Sequence, residues 1–382
     1  MASVSENMPP RDLVLIGGGH AHVHVLKRFG EAPRAGVRVT LVARDLRTPY
    51  SGMIPGFVAG LYGFDDCHID LPSLCRRWNI RLVAGEAVAL DRDRRRVRLA
   101  DGQDLPWDLL SLDVGAAPHL GALPGADRWA VPVKPIAEFG RRWLAFLDEK
   151  KSWQGPLEIM VIGGGAGGVE LALAIDHRLR QVAPGATVCV TLATRDAILA
   201  SQAPAAQRRL RAVLQQRGIR LLERAPAQRV EHGAVQVAET WYRADAVFVV
   251  TEASAPSWLA GTGLPLDGRG FLAITETLQS AGDDRVFAAG DCATMTRHPR
   301  PKAGVFAVRQ GPPLADNLRR VLQGETPRPW VPQARYLAIV GTGDGHAVAT
   351  RGAWAVGGHS LAGRWAWWWK DRIDRRFMRR YR

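Results

Sequence analysis

The sequence predicts an α/β protein of two Rossmann-like, doubly wound domains, followed by a C-terminal hairpin and an amphipathic helix. Three segments carry that prediction. Leu13-Val14-Leu15-Ile16-Gly17-Gly18-Gly19-His20-Ala21-His22 and Ile159-Met160-Val161-Ile162-Gly163-Gly164-Gly165-Ala166-Gly167-Gly168 are short apolar runs that break into glycines and then open a helical pattern. A strand, a glycine turn and a helix in that order form the dinucleotide-binding fingerprint. Gly17, Gly19, Gly163, Gly165 and Gly168 allow the tight turn and the close approach of backbone to a pyrophosphate. The helix N-terminus, which begins near His20 in the first fingerprint, offers unpaired N–H groups and a positive dipole end. The third segment, Val286-Phe287-Ala288-Ala289-Gly290-Asp291-Cys292-Ala293, is a strand ending in Gly-Asp. Two fingerprints in one chain imply two dinucleotides, and the simplest pair is a flavin and a nicotinamide.

In chain order, residues 13–16 and 37–42 read as the first two strands, with a helix at 20–30 between them. Residues 70–78 read as a helix. Strands near 81–84 and 95–99 form a small meander, with the basic run Arg92-Asp93-Arg94-Arg95-Arg96 at its turn as a solvated edge. Strand 108–114 closes the first half, and the Gly- and Pro-bearing stretch 119–135 connects the domains. Helix 136–150, strand 158–162, helix 166–181, strand 187–192 and helix 203–217 follow. Strands near 219–222, 235–238 and 246–250 complete the second domain, and the chain returns to the first through 270–294. The helical pattern at 303–322 holds Pro312-Pro313, which predicts a kink or two shorter helices. Residues 336–340 and 347–351 read as a hairpin around Gly341-Thr342-Gly343-Asp344-Gly345. The expected domains are thus 11–118 with 270–330, 119–269, and 331–382.

The 382 residues, 47% of them hydrophobic, can fill two such domains and an appendage. The four cysteines, Cys67, Cys75, Cys189 and Cys292, share no close spacing. Neither a disulfide framework nor a zinc site is expected, and a reducing compartment fits best. His20 and His24 have the i,i+4 spacing of helical metal ligands, but they open a pyrophosphate site, so no metal is expected. The N-terminus carries no signal pattern, and no run reaches the roughly 18 apolar residues of a spanning helix. The net charge of +14 comes largely from scattered Arg. It is concentrated only from Arg364 to Arg382, with eight basic residues against two acidic ones, which marks a partner-binding tail.

The Gly-Asp strand resembles the second FAD motif of the two-dinucleotide flavoprotein disulfide reductase superfamily, which implies that Asp291, after Gly290, binds the ribityl chain of FAD. The stretch 108–118, with Gly115, resembles the segment that leaves the FAD domain in the same superfamily. Arg44, Pro49 and Tyr50 are assigned to the FAD side with His20 and His22. His22 stands where the third fingerprint glycine would be, so it packs against the sheet or reaches the FAD. We expect it beside the cofactor. A disulfide reductase would carry Cys-x4-Cys early in the FAD domain, but residues 48–56 hold no cysteine, and Cys67 and Cys75 are too far apart. Electrons are therefore expected to leave the flavin directly.

Gly168-Val169-Glu170-Leu171-Ala172 resembles the type II (alternative) NADH:quinone oxidoreductases, which implies that Glu170 lies by the nicotinamide–flavin stack. Phe306-Ala307-Val308-Arg309-Gln310-Gly311 resembles that family's quinone-site helix. That helix usually carries two Gln, and only Gln310 is present here. His20-Ala21-His22-Val23, Thr48-Pro49-Tyr50-Ser51-Gly52-Met53, Val133-Lys134-Pro135, the stretch 301–312 and Trp369-Lys370-Asp371-Arg372-Ile373-Asp374-Arg375-Arg376-Phe377-Met378 are similar to the oxidoreductase module fused ahead of selenide, water dikinase in some bacteria. This resemblance spans about residues 11–382 and lacks the kinase half. Lys302 begins a helix aimed at the flavin, where a cation and a helix N-terminus stabilise the anionic reduced ring. After strand 187–192 an NAD site usually has an acid for the ribose 2′-hydroxyl. Thr194 stands there, followed by Arg195 and Asp196. Arg195 can accept the 2′-phosphate of NADPH without excluding NADH.

Together these readings give Glu170, Lys302 and Gln310 as catalytic candidates. The expected activity is FAD-dependent oxidation of NAD(P)H, with a quinone or another small molecule as acceptor. The alternative acceptor is soluble and linked to selenium or sulfur metabolism. In the tail, Trp365, Trp369, Ile373, Phe377 and Tyr381 fall at i,i+4 steps, bordered by Arg372, Arg376, Arg379 and Arg380. That pattern suits an anionic membrane surface and implies a peripheral protein on the inner face of the cytoplasmic membrane. Packing on the protein's own core, or on a second copy as a homodimer, is the competing use of the stripe. No nucleic-acid module is visible, so nucleic acid is not expected as a partner.

Overall fold

The computed structural model describes residues 10–250 and 253–382. Arg11–Ile16 turns apolar after its first two residues and is buried on both faces, as a central parallel strand must be. It pairs in parallel with Val37–Ala43 on one side and with Leu109–Leu112 on the other. Asp283–Ala288 adds in parallel beyond Leu109–Leu112. Gln279–Ser280, Leu272–Ile274 and Ala293–Met295 extend the sheet further, to eight strands. The second sheet repeats the plan around Gly155–Ile162, with Ala186–Ala193 and Ala246–Val249 as its parallel neighbours. Val131–Pro132 and Arg220–Leu222 form its edges. Ala117–Pro118 and Ala253–Ser254 pair where the chain crosses between the two halves. Both fingerprint loops therefore lie at the carboxyl ends of interior strands, in the crevice between neighbours of opposite winding, where open α/β sheets bind ligands.

Four local expectations are corrected. Arg81–Ala84 is no meander strand; it pairs in parallel with Val37–Ala43 at the edge of the main sheet. The meander is Ala87–Asp91, Arg96–Leu99 and Asp104–Pro106. Its turn is only partly solvated, because the Arg92 guanidinium bonds Asp283 and the Gly263 and Gly282 carbonyls. Gly304–Leu322 is one helix through both prolines. Pro312 is exposed and Pro313 half-buried, so carbonyls freed by the missing N–H groups can face water. On the opposite face a Cβ at Gly311 would lie 2.7 Å from His24, so the helix packs closely on His20–Glu31. The hairpin gains a third strand, giving Ala338–Gly341, Ala347–Arg351 and Trp354–Gly357.

The C-terminal helix, Leu361–Met378, starts at Ser360, whose hydroxyl accepts from Gly363 N–H. Its buried face is Ala366, Lys370, Asp374, Phe377 and Met378, and Tyr381 beyond it is buried too. The expected stripe is thus split. Phe377 and Tyr381 belong to the protein's own core. Leu361, Trp365, Trp368, Trp369 and Ile373 form the exposed apolar face. The i,i+4 ladder drifts round the helix, because four residues exceed one turn of 3.6. Among the described residues, no helix is long and apolar enough to cross a membrane.

Candidate functional site

In the first fingerprint, Gly17 has φ +92°, and a Cβ there would lie 2.3 Å from the Asp113 carbonyl oxygen. Only glycine fits that turn. Gly19 caps the helix His20–Glu31. His22, fully buried, does not face the open side of the loop. Its Nδ1 lies 2.6 Å from the Gly17 carbonyl and its Nε2 2.8 Å from Ser111 Oγ. A carbonyl can only accept, so Nδ1 carries the proton and Ser111 donates to Nε2. Burial pushes His22 down to about 4, which keeps that neutral tautomer. Of the two options for His22, the structure takes packing against the sheet: the imidazole does by hydrogen bonds what a third glycine does by close contact.

The sequence reading missed Asp113. Its buried carboxylate Oδ2 accepts from the N–H groups of Ala21 and His22 at 2.9 and 3.2 Å, at the mouth of the same fingerprint. The string Leu112-Asp113-Val114-Gly115 held the signal, an acid at the end of a buried strand.

The Gly290–Asp291 turn lies alongside. Gly290 N–H donates to Gln310 Oε1 at 2.7 Å, so Gln310, buried in the helix Gly304–Leu322, positions the turn. Asp291 pairs with Lys134 at 2.6 Å, a partner the sequence did not reveal. Lys302 donates to the Ala293 carbonyl and Thr294 Oγ1 and lies over the Phe271 ring. Burial brings its ammonium down to about 8. Gly290, Asp291, Lys302, Phe306 and Gln310 all line one pocket. Arg44, at the end of Val37–Ala43, pairs with Asp45 and Glu86.

A second cluster joins three distant segments. Pro49 ends the short strand Arg47–Pro49, and Tyr50 follows it. The Tyr50 ring stacks on Phe377, with centroids 4.3 Å apart, and tilts against His20. Its hydroxyl is bonded to Asp374, and burial raises it above the usual phenol range. Lys370 donates to Asp374 and to the Gly52 carbonyl. Glu170 Oε1 accepts from Gly341 N–H at 2.7 Å. Burial raises Glu170 to about 7, with Lys370 opposing and Asp374 adding to the rise. Lys370 and Asp374 were not foreseen, since the sequence marked their helix for its outer face.

In the second fingerprint, Gly163 has φ +130°, and a Cβ at Gly168 would lie 1.8 Å from its carbonyl oxygen. Gly165 caps Ala166–Val182 and faces open space. Thr194 is buried against Gly164, and Arg195 pairs with Asp196 at 3.4 Å. Gly115 has φ +70° and also faces open space.

Both loops fit a dinucleotide, because each presents a glycine cradle that a Cβ would fill and a helix N-terminus for phosphate. Gly17, Gly19, Gly290 and Asp291 would hold FAD, and Gly163, Gly165 and Gly168 the nicotinamide dinucleotide. FAD supplies two-electron hydride acceptance when bound. Cys67, Cys75 and Cys292 are buried, with thiols pushed up to about 12, 11 and 12. A nucleophilic thiolate is not available from any of these three. Among the described residues, no group of His, Cys, Asp and Glu could hold a metal ion.

Residues 11–311 match the family model of the pyridine nucleotide-disulphide oxidoreductases. The NADH dehydrogenase-like protein YutJ of Bacillus subtilis is 22% identical over 338 residues, 87% of this chain and 90% of that protein. A type II NADH:quinone oxidoreductase of Staphylococcus aureus is 22% identical over 83% of this chain and 84% of its own length. The sulfide:quinone oxidoreductase of Aquifex aeolicus superposes with a TM-score of 0.81 at 18% identity, covering 97% of this chain and 91% of that one. NDH2 of Plasmodium falciparum superposes with a TM-score of 0.77 at 12% identity, over 97% of both chains. These superpositions show a shared two-dinucleotide fold. A family match spanning both fingerprints and the Gly-Asp turn settles the assignment: the chain belongs to the pyridine nucleotide-disulphide oxidoreductases, as an FAD-dependent NAD(P)H oxidoreductase.

Proposed function

We propose that this chain takes hydride from NAD(P)H and passes the electrons from FAD directly to a quinone at a membrane surface, as a peripheral protein. One observation carries the reading: the two faces of the C-terminal helix. The outer face exposes Leu361, Trp365, Trp368, Trp369 and Ile373, flanked by Arg364, Arg372 and Arg376. Tryptophan favours the headgroup boundary, and an arginine can bury its stem while its head meets phosphate. Basic residues near an anionic leaflet add roughly 1 kcal/mol each. The inner face places Lys370, Asp374 and Phe377 against Tyr50, Gly52 and Glu170. A lipid-soluble acceptor arriving at the outer face would stand one helix diameter, about 10 Å, from that cluster. The buried thiols support direct transfer from the flavin, without a cysteine relay. Similarity to a type II NADH:quinone oxidoreductase of Staphylococcus aureus supports this reading.

Glu170 then serves beside the nicotinamide, Lys302 at the reduced flavin, and Gln310 by positioning the Gly290–Asp291 turn. Arg195 is assigned to nucleotide selection. Deleting the helix would unpack Phe377, Met378 and Tyr381, so the test substitutes its outer face. Trp365→Gln, Trp368→Gln and Trp369→Gln together should abolish co-sedimentation with vesicles containing anionic lipid. Rapid NAD(P)H-dependent reduction of a soluble dye should persist. Reduction of menadione and a short-chain ubiquinone should persist, while a long-chain quinone in vesicles should no longer be served. Unchanged co-sedimentation, or wild-type failure to reduce any quinone, overturns the reading and leaves a soluble acceptor, such as one from selenium or sulfur chemistry.

A further inference from the structure

The first fingerprint already holds an anion of its own. Asp113 Oδ2 accepts from the N–H groups of Ala21 and His22, in the first turn of the helix. These are among the groups a helix N-terminus presents to a phosphate. The carboxyl is clamped in place. A Cβ at Gly19 would lie 2.2 Å from it on one side, and a Cβ at Gly290 would lie 2.3 Å from its Oδ1 on the other. Asp113 is 3% exposed, so no solvent-filled space receives the side chain if it swings. A bound pyrophosphate would meet this carboxylate at the same helix end, and two anions in one poorly solvated seat repel strongly.

We propose that Asp113 couples FAD binding to protonation: the cofactor enters the first fingerprint together with one proton, which converts the Asp113 carboxylate to a carboxylic acid. The neutral acid then donates a hydrogen bond where the ionised form would repel, as carboxyls held neutral in apolar sites do. In the protein without FAD, the ionised carboxylate caps the helix and keeps the loop in shape. The coupling holds whatever the electron acceptor is.

The charged and titratable groups around Asp113 are few. His20 and His22 on the helix are both held down to about 4 by burial. Cys292 on the adjacent turn is pushed up to about 12. Asp291 on that turn raises Asp113 and is itself paired with Lys134. Lys302, near Cys292, is brought down to about 8. Asp113 is raised to about 7, with burial as the largest cause and Asp291 adding to it. The sign follows. Below pH 7 the acid is already neutral and FAD affinity is flat. Above pH 7 each FAD must bring a proton, and affinity falls toward tenfold per pH unit.

The test reads release of FAD fluorescence on serial dilution of the holoenzyme between pH 6 and 8. Wild type should weaken about tenfold over that range, and Asp113→Asn should change less than about twofold. At pH 8 calorimetry in buffers of different ionisation enthalpy should find close to one proton taken up per FAD bound. Asp113→Ala repeats the comparison without a side-chain acceptor. A slope shared equally by wild type and both variants assigns the effect to another group, Lys302 first, and overturns the proposal. So does proton uptake near zero in wild type, a result that needs no variant to fold.

Discussion

The two fingerprints of this chain look alike as strings and differ in what closes them. At the second, Gly165 faces open space, and Gly168 brings the helix so close that a Cβ would strike the Gly163 carbonyl. At the first, the position matching Gly168 is His22, whose ring spans the gap to the Gly17 carbonyl and Ser111. The seat that stays open beside Gly165 is occupied beside Gly19 by the Asp113 carboxyl. The motif therefore specifies a backbone path, and separate residues decide how the mouth of that path is charged. On the proposed assignment, one site serves a nucleotide that comes and goes and the other a cofactor whose arrival rearranges a buried proton.

The largest effect is expected where the comparison is broken most directly. His22→Gly restores the glycine of a regular fingerprint, yet it should destabilise the protein by about 3–5 kcal/mol. It removes a buried ring, leaves a cavity, and strands the fully buried Ser111 hydroxyl. Urea denaturation followed by flavin release measures it. Retained stability with tighter FAD would mean that the two loops are interchangeable. The reverse change, Gly168→Ala, should cost about 2–3 kcal/mol of stability in the second domain, because a backbone oxygen rather than a side chain blocks the new methyl. NAD(P)H affinity should fall at least tenfold with FAD retained.

This contrast also shows what the sequence could reveal. Strand-glycine-helix strings are local, so the two parallel sheets and the Gly-Asp turn were legible. Asp113 was visible only as an acid ending a buried strand, and its role was hidden because that role depends on Gly19 and Gly290 approaching it from segments far apart in the chain. Lys370 and Asp374 were hidden for a related reason. A helix carrying Trp365, Trp368 and Trp369 outward and Lys370 inward shows one periodic pattern, and only packing tells which charges are buried. Arg81–Ala84 went to the wrong sheet because four residues specify a strand but not its partner. The helix through Pro312 was predicted to break because propensity knows nothing of the close packing at Gly311.

A smaller effect separates the two sites by pH. Glu170 is raised to about 7, so its carboxyl is neutral below that pH and ionised above it. With Glu170 beside the nicotinamide–flavin stack, as proposed, reduction of flavin adds negative charge nearby, and an ionised Glu170 opposes it. Lys370 offsets part of that charge, with Asp374 working against it, and burial still holds Glu170 up at about 7. Flavin reduction by NAD(P)H should therefore slow severalfold to tenfold as pH rises through about 7. Glu170→Gln keeps an acceptor for Gly341 N–H and should flatten the profile. Stopped-flow bleaching at saturating flavin reads this step alone, so it is distinct from the FAD affinity governed by Asp113. A slope preserved in Glu170→Gln would move the titration to Lys302, whose ammonium is brought down to about 8.

The smallest effect concerns the open mouth of the second fingerprint. Thr194 is buried where an acid would bind the ribose, so it can offer a hydroxyl but no charge. Arg195 and Asp196 lie just outside and pair with each other at 3.4 Å. Both are well exposed, and an exposed pair of this kind contributes little on its own. A 2′-phosphate entering here would draw the guanidinium from Asp196, since a doubly charged phosphate outcompetes one carboxylate for a planar fork. NADH would leave the pair intact and present its hydroxyl to Asp196. Arg195→Ala should lower kcat/KM for NADPH about three- to tenfold and leave NADH within twofold. Asp196→Ala should shift the ratio the other way by a smaller factor, because it removes one carboxylate that competes with phosphate for the arginine. The ratio of the two kcat/KM values is the quantity to follow, since it cancels any change in the flavin site. A ratio unmoved by both substitutions would mean that the open seat beside Gly165 reads only the pyrophosphate. In that case the second fingerprint accepts either nucleotide by backbone alone.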